Sequence, residues 1–357
     1  MDFTPGPSQQ AVASLAAEVL GAVDPWKGLA QAGLLDVTPP DGLGVLDTAV
    51  LLTEIGRHAP PDIPLLALVA LMTGALPVLR WGDADLRQSL LPGVASGELI
   101  LTAAIREPSD PQPDPPATTV TDGTITGTKV GVPYAADSAR ILIPARLAGP
   151  ASMIMGRSGG IAPISAHDHG VALVDPGAEG VSLTRTPSAT GQPEYTVRLV
   201  EAPVAGVLGG TDCLRDLYRL AVAGACALAD GAVAGALALT RDHVATREQF
   251  GRPLATFQAV SQQIADVYIA SRTLHLATVS GCWRLDAGRD VAGDLDVAAY
   301  WCASRAPASV RICHHLHGGL GMDSSYPLHR YSALVSDLVR FLGGAEFRLE
   351  RHACSLT

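Results

Sequence analysis

The hydrophobic pattern changes period twice along the chain. From about Ser8 to Ile105 apolar residues recur at helical spacing: Gln9 to Val23 is rich in Ala, Leu and Val, Gly44 to Arg57 repeats with the 3.6-residue period, and Pro64 to Leu79 is almost continuously apolar. Pro60-Pro61 and Trp81-Gly82-Asp83 punctuate this part, so residues 1–100 are expected to form an all-helical domain. Between about Leu101 and Leu208 the texture becomes short β-branched runs separated by Gly, Pro, Asp and Ser: Thr118–Thr121, Thr124–Thr128, Ala139–Pro144, Gly170–Val174 and Glu194–Val200. Residues 101–208 therefore read as a β-barrel or sandwich domain, with a hairpin turn at Asp122-Gly123. The prolines of Glu107–Pro116 make that stretch a loop.

After Gly209-Gly210 the helical period returns. Runs at about 213–246, 257–288, 293–318 and 327–353 predict a four-helix bundle over residues 209–357, an α+β chain overall. Ala and Gly crowd Ala221 to Leu239, where small side chains serve either close helix packing or a flat ligand.

Composition narrows the function. At 357 residues the chain can bury a large core. A formal net charge of -10 argues against sequence-independent nucleic-acid binding. The start, Met1-Asp2-Phe3-Thr4-Pro5, has no signal-peptide pattern, and the Leu65–Leu79 run carries Gly74 and Pro77 and is short for a membrane span; a core helix in a soluble, cytoplasmic protein is expected. Six cysteines without Cys-x-x-Cys spacing read as buried thiols.

Two segments of the last third carry candidate chemistry: Arg247-Glu248-Gln249-Phe250-Gly251 and His315-Leu316-His317-Gly318-Gly319-Leu320-Gly321. Arginine offers a planar set of donors for phosphate, and glycine lets backbone come close to a ligand, which together suggest a grip on a diphosphate. A rival reading makes His314, His315 and His317 a metal cluster, but no carboxylate or Cys stands at matching spacing.

These segments, with Phe257-Gln258 between them, the Leu90–Glu107 stretch, and Asp122-Gly123 followed by Gly127-Thr128-Lys129, resemble the acyl-CoA dehydrogenase family across essentially the whole chain. The resemblance implies an N-terminal helical domain, a middle β domain, a C-terminal bundle, and FAD at a subunit interface. Carried over residue by residue, Arg247 would meet the FAD diphosphate. Gln249, Phe250, Leu254, Phe257 and Gln258 would line the cofactor tail, His315 would stand where the family commonly has Gln, and Gly318-Gly319 would let backbone approach, with amide donors expected from the glycine turn.

Departures from the family carry the functional reading. In most members the catalytic Glu follows an aromatic residue just before a Gly-Thr or Gly-Ser pair near the last helix, and the matching stretch Phe341-Leu342-Gly343-Gly344 puts Leu342 there. Other members place the base on the first bundle helix, where Asp216-Leu217-Tyr218-Arg219 offers Tyr218, a poor base at an ordinary pKa near 10. The flavin-covering glycine-rich loop is replaced by the prolines after Glu107, and the flavin-stacking Trp-Ile-Thr after Lys by Val130-Gly131-Val132-Pro133.

No catalytic residue is therefore expected in this chain. It resembles the non-catalytic small subunit of actinobacterial heterotetrameric (α2β2) dehydrogenases acting on CoA thioesters of steroid side chains. That implies a catalytic partner that binds most of the acyl-CoA, together with an electron-transfer acceptor. The alternatives are a self-sufficient homotetramer whose base has moved to Glu346 or Glu350, and a purely structural or regulatory partner. Glu346 and Glu350 lie one and two turns beyond Leu342 on the expected last helix, displaced along its axis by about 6 and 12 Å at 1.5 Å per residue, which makes them solvated or salt-bridged surface carboxylates.

Overall fold

A computed structural model describes residues 3–148, 153–155, 161–163 and 168–355. Helices occupy the first part: α1 (Pro7–Val19), α2 (Pro25–Gln31), α3 (Val45–His58), α4 (Pro64–Ala67), α5 (Leu76–Trp81) and α6 (Ala84–Ala95). Their starts follow local chemistry. Pro7 and Pro25 stand in first turns, where no amide is needed, and the carboxylates of Asp24 and Asp83 accept the Lys27 and Leu86 amides at 3.2 and 2.8 Å. Between α4 and α5, Leu68–Ala75 is π-helical, so Pro64–Trp81 runs on as one helix. By length and hydropathy alone Pro64–Trp81 and Thr211–Thr246 match a membrane span, yet 83% and 89% of those apolar windows are buried inside the protein; both are core helices.

The middle part is one eight-stranded sheet. Its strands are β1 (Leu101–Ala103), β2 (Thr119–Thr121), β3 (Thr124–Pro133), β4 (Arg140–Ala148), β7 (Asp168–Val174), β8 (Val181–Thr186), β9 (Glu194–Pro203) and β10 (Gly206–Gly209), while β5 (Met153–Met155) and β6 (Ile161–Pro163) form a separate pair. The order is β10-β7-β4-β2-β3-β9-β8, with β1 on the same edge of β4 as β2. Alternate residues of the central strands, among them Val120, Ile125, Ile141, Ile143, Ala172, Val197 and Leu199, meet in a single core, so the sheet curls around its own inner face. Asp122 and Gly123 take φ of 49° and 78°, the two-residue turn that an Asp-Gly pair favours.

The last part is helical: α7 (Thr211–Thr246), α8 (Gln258–Asp286), α9 (Ala292–His317), α10 (Leu328–Phe341) and α11 (Gly344–Ser355), with a small hairpin of β11 (Glu248–Gln249) and β12 (Arg252–Pro253) between α7 and α8. The fourth helical run of the sequence is thus two helices. Gly343 and Gly344 sit at φ of 84° and 87°, a conformation that ends a helix, and the buried Arg348 donates from Nε to the Leu342 carbonyl at 2.7 Å, satisfying an end carbonyl of α10. Burial lowers Arg348 to about 10, opposed mainly by the surrounding acidic groups Cys226 and Asp296.

The chain forms two compact units: residues 1–22, 49–64 and 222–357 in one, 23–48 and 65–221 in the other. In the first, α3 packs against α7 backbone to backbone. A Cβ at Gly56 would strike the Leu228 carbonyl, one at Gly231 the Thr53 carbonyl, and one at Gly235 the Arg57 carbonyl and the Tyr331 ring. The small residues of α7 therefore serve close helix packing there. Gly231→Val should lower stability by at least about 1–3 kcal/mol through overpacking, read as a fall in thermal midpoint against wild type.

Candidate functional site

The bundle unit brings the two sequence segments together. Arg247 follows the last turn of α7; its amide donates to the His243 carbonyl at 2.8 Å and its own carbonyl accepts the Leu254 amide at 2.8 Å. The β11–β12 hairpin projects beyond it. The connecting residues Phe250 and Gly251 take φ of 55° and 73°, and the Phe250 side chain is 92% exposed. A phenylalanine in the left-handed region is strained, and here the strain holds an aromatic ring in solvent. Its edge meets Phe257 at 6.1 Å, and the Arg252 guanidinium covers the Phe257 ring at 4.2 Å. Arg247, Gln249 and Gln258 are exposed, and Leu254 and Phe257 half-buried.

His317 closes α9, and Gly318 follows at φ 59° and ψ -134°, a conformation glycine alone adopts readily. The Gly318 amide donates to the His314 and His315 carbonyls, so it caps the helix instead of facing outward as the sequence led us to expect. The turn ends a helix at its carbonyl end; its contribution to a ligand site is clearance. A Cβ at Gly318 or Gly319 would meet nothing of this chain within 4 Å, and both residues are exposed. His315 is exposed beside them. The His243 and His317 rings stack at 4.3 Å with 16° between planes, joining the ends of α7 and α9 and hence the two halves of the grip. Sequence reading missed His243, Arg252 and Tyr326, which reach the site only through folding.

The histidines do not form a metal centre. His317 uses both ring nitrogens, on the Cys313 carbonyl at 2.8 Å and the Tyr326 hydroxyl at 3.0 Å, and His314 contacts the Gly321 carbonyl and Ser332. Among the described residues no group of His, Cys, Asp and Glu could hold a metal ion. Five of the cysteines are buried free thiols and Cys354 is exposed.

Both residues expected from the sequence to stand at the family's base positions are packed away. Leu342 is fully buried, with its carbonyl taken by Arg348. Tyr218 is buried and its hydroxyl donates to the Pro113 carbonyl at 2.7 Å, so its proton is already committed. Two residues earlier, Asp216 accepts from Arg80 at 2.6 Å and from the Trp81 indole at 2.8 Å, fixing that turn of α7. Glu346 and Glu350 are exposed, and they stand on α11, a different helix from Leu342, so the expected displacement along one continuous axis does not apply.

In the sheet unit the expected flavin-side elements are used internally. Glu107 accepts from the Ala117 and Thr118 amides at 2.8 and 2.9 Å, from the Thr118 hydroxyl at 2.6 Å and from the Lys129 ammonium at 2.8 Å, with Lys129 fully buried. Burial pushes the Glu107 carboxyl up, yet the Lys129 charge and the Thr118 donors together hold it below its usual range. Lys129 is lowered to about 8 by burial, against the opposing pull of Glu107. Gly127 leaves the space that Thr118 fills. Within the proline loop Gln112, Pro113 and Pro116 are buried. Gly131, at φ 65°, sits in a break of register between Lys129 and Val132, and the Pro133 carbonyl accepts the Thr102 hydroxyl at 2.7 Å. No ring or hydroxyl is offered to a flavin at these positions, so the residues present fit the tail of FAD at the bundle and do not fit its ring in the sheet.

A helical entry, a curled sheet and a bundle bearing an arginine and glycine grip define the scaffold of a flavin-dependent acyl-CoA dehydrogenase. Residues 9–98 match the N-terminal domain and residues 216–346 the C-terminal domain of acyl-CoA dehydrogenase. The chain is 42% identical, over the full length of both proteins, to the acyl-CoA dehydrogenase FadE28 of Mycobacterium tuberculosis. It superposes on a chain of the Tcur3481-Tcur3483 steroid ACAD G363A variant with a TM-score of 0.85 at 31% identity, covering 98% of each. On a chain of the ChsE4-ChsE5 complex from Mycobacterium tuberculosis the TM-score is 0.85 at 28% identity, covering 100% of this chain and 99% of that one. The chain belongs to the acyl-CoA dehydrogenase family, whose cofactor is FAD.

Proposed function

We propose that this chain is the non-catalytic subunit of a heteromeric, cytoplasmic acyl-CoA dehydrogenase, and that it completes the FAD site of a catalytic partner. The observation that carries this reading is the state of the two base positions: Leu342 cannot take a proton, and Tyr218 is buried with its proton donated to Pro113. α,β-Desaturation of a thioester requires a carboxylate to remove the α proton, while FAD accepts hydride from the β carbon. The carboxylate and the flavin cradle must come from the partner, along with most of the acyl-CoA site.

Within that division of labour this chain binds and orients. Arg247 supplies charge-assisted hydrogen bonds to the diphosphate; Gln249, Phe250, Leu254, Phe257 and Gln258 line the tail; His315, Gly318 and Gly319 give backbone clearance. Likeness to a steroid acyl-CoA dehydrogenase pair supports a steroid side-chain CoA thioester as substrate and an α2β2 assembly. Reducing equivalents would pass to an electron-transfer acceptor.

Purified alone, the chain should be colourless and should not reduce a dye with any acyl-CoA; co-expressed with its catalytic partner it should yield an active flavoprotein. A yellow, active lone chain would overturn the proposal in favour of the self-sufficient enzyme. The relocated-base idea has its own check: Glu346→Gln and Glu350→Gln should each leave kcat of the complex within about twofold of wild type, as for exposed carboxylates away from the chemistry. A thousandfold loss in either would restore it, since general-base catalysis contributes up to about 10⁴-fold.

A further inference from the structure

One pair of residues joins the two halves of the grip and is not accounted for by cofactor contact. His243 stands one turn before Arg247, and its carbonyl holds the Arg247 amide. His317 directly precedes the Gly318 turn. A carbonyl only accepts, so His317 Nδ1 carries a proton and donates it to Cys313, while Nε2 meets the Tyr326 hydroxyl, a group able to donate to a neutral ring or accept from a charged one. Held at both nitrogens, the His317 ring is fixed in orientation, tilted 52° against Tyr326 at 5.2 Å and stacked on His243. The end of α7 that carries Arg247 and the end of α9 that precedes Gly318 therefore meet through two imidazoles in face-to-face contact.

Resting on the FAD reading above, we propose that His243 and His317, backed by Tyr326, are positioning residues that hold the Arg247 arm at its working distance from the Gly318-Gly319 turn, and that they do so only while both rings are uncharged.

The surroundings are hostile to a charge. Arg247 bears on His243 from the end of α7, and His314 and His243 bear on His317, each disfavouring a charge on the ring it faces. The near negative group, Asp242, is paired with Arg241 at 2.9 Å and also lies close enough to raise the Tyr326 hydroxyl, after burial. Burial first, then Arg247, keeps His243 below the usual imidazole range; burial first keeps His317 below it, with His243 and His314 adding to the effect and the Cys313 hydrogen bond opposing it. A ring whose pKa is depressed on folding contributes stability that is complete above the unfolded value of about 6.5 and is lost as pH falls through the folded value. Acidification should therefore separate the stack and loosen the grip on FAD without touching the cofactor's own contacts.

The test uses the assembled FAD-loaded complex, with released flavin read by fluorescence from about pH 8 to about pH 5, the range in which His titrates. Wild type should release FAD progressively on the acid side. His243→Phe, which keeps a stacked ring that cannot protonate, should retain FAD further into acid. His243→Ala should bind FAD at least about fivefold more weakly even at neutral pH, the low end of measured site-to-site couplings. Proton NMR titration of the imidazoles in the lone chain gives a second readout independent of the cofactor, in which His243→Phe should raise the His317 midpoint by removing a titrating ring that opposes a charge on it. The proposal fails if His243→Phe keeps the wild-type acid profile, if His243→Ala holds FAD as wild type does, or if the His317 midpoint does not move. Loss of FAD in Arg247→Ala alongside full retention in His243→Ala would sink the stack and spare the grip; retention in both would sink the grip as well.

Discussion

Replacing Lys129 by Met should lower the stability of the folded chain by about 3–5 kcal/mol, the usual loss when one partner of a buried ion pair is removed. Lys129 is fully buried and Glu107 nearly so, and three further donors converge on the same carboxylate. Without the ammonium, Glu107 keeps its charge in a place that water does not reach. The double substitution Glu107→Gln with Lys129→Met should recover part of the loss, because no buried charge is left unpaired, although the single amide oxygen can serve the Thr118 donors on Oε1 or the Ala117 amide on Oε2 but not both. Denaturant unfolding of the lone chain measures both. An equal loss in the single and double variants would show that the pair is held in place by its surroundings and contributes nothing by its charge. The pair also bears on function, since it ties the proline loop and the strand carrying Gly131 to each other in the region where family members bind flavin.

Arg247→Ala should weaken FAD binding by the assembled complex about 10- to 150-fold, the equivalent of the roughly 1.5–3 kcal/mol carried by hydrogen bonds to a charged group. The side chain is exposed in the isolated chain, so the same change should leave the thermal midpoint of that chain nearly unaltered. Arg247→Lys should recover only part of the affinity, because an ammonium replaces a planar fork by a point charge. Flavin absorbance per mole of complex reads the effect. Unchanged flavin content would favour a purely structural or regulatory partner.

Much of this architecture could be read from residue spacing, for reasons visible in particular elements. The period of α7 to α9 follows from apolar faces that are in fact buried, and Asp122-Gly123 marked a hairpin because few residue pairs tolerate two successive positive φ angles. Leu342 can be placed by counting on from Gly318-Gly319 and Tyr218 by its segment Asp216-Leu217-Tyr218-Arg219; in the structure Leu342 is buried and the Tyr218 hydroxyl donates to the Pro113 carbonyl.

What escaped was non-local. The break between α10 and α11 falls at Gly343-Gly344, a helix-ending pair that reading the fourth apolar run as one helix passes straight through, and the Arg348 side chain that caps it comes from the next helix. β8 (Val181–Thr186) alternates on an edge of the sheet with only intermediate burial, a weak signal. His243 and Tyr326 carry no motif and gain a role only when two helix ends meet at His317. Phe250 was legible as a family position, but its strained, solvent-facing ring was not.

The central claim is that one grip and one cradle, on different chains, make one site. Native mass measurement of the co-expressed complex, combined with its flavin absorbance, tests it most directly. The account predicts one FAD for each pair of unlike chains, two in an α2β2 assembly. One FAD on every chain would contradict it.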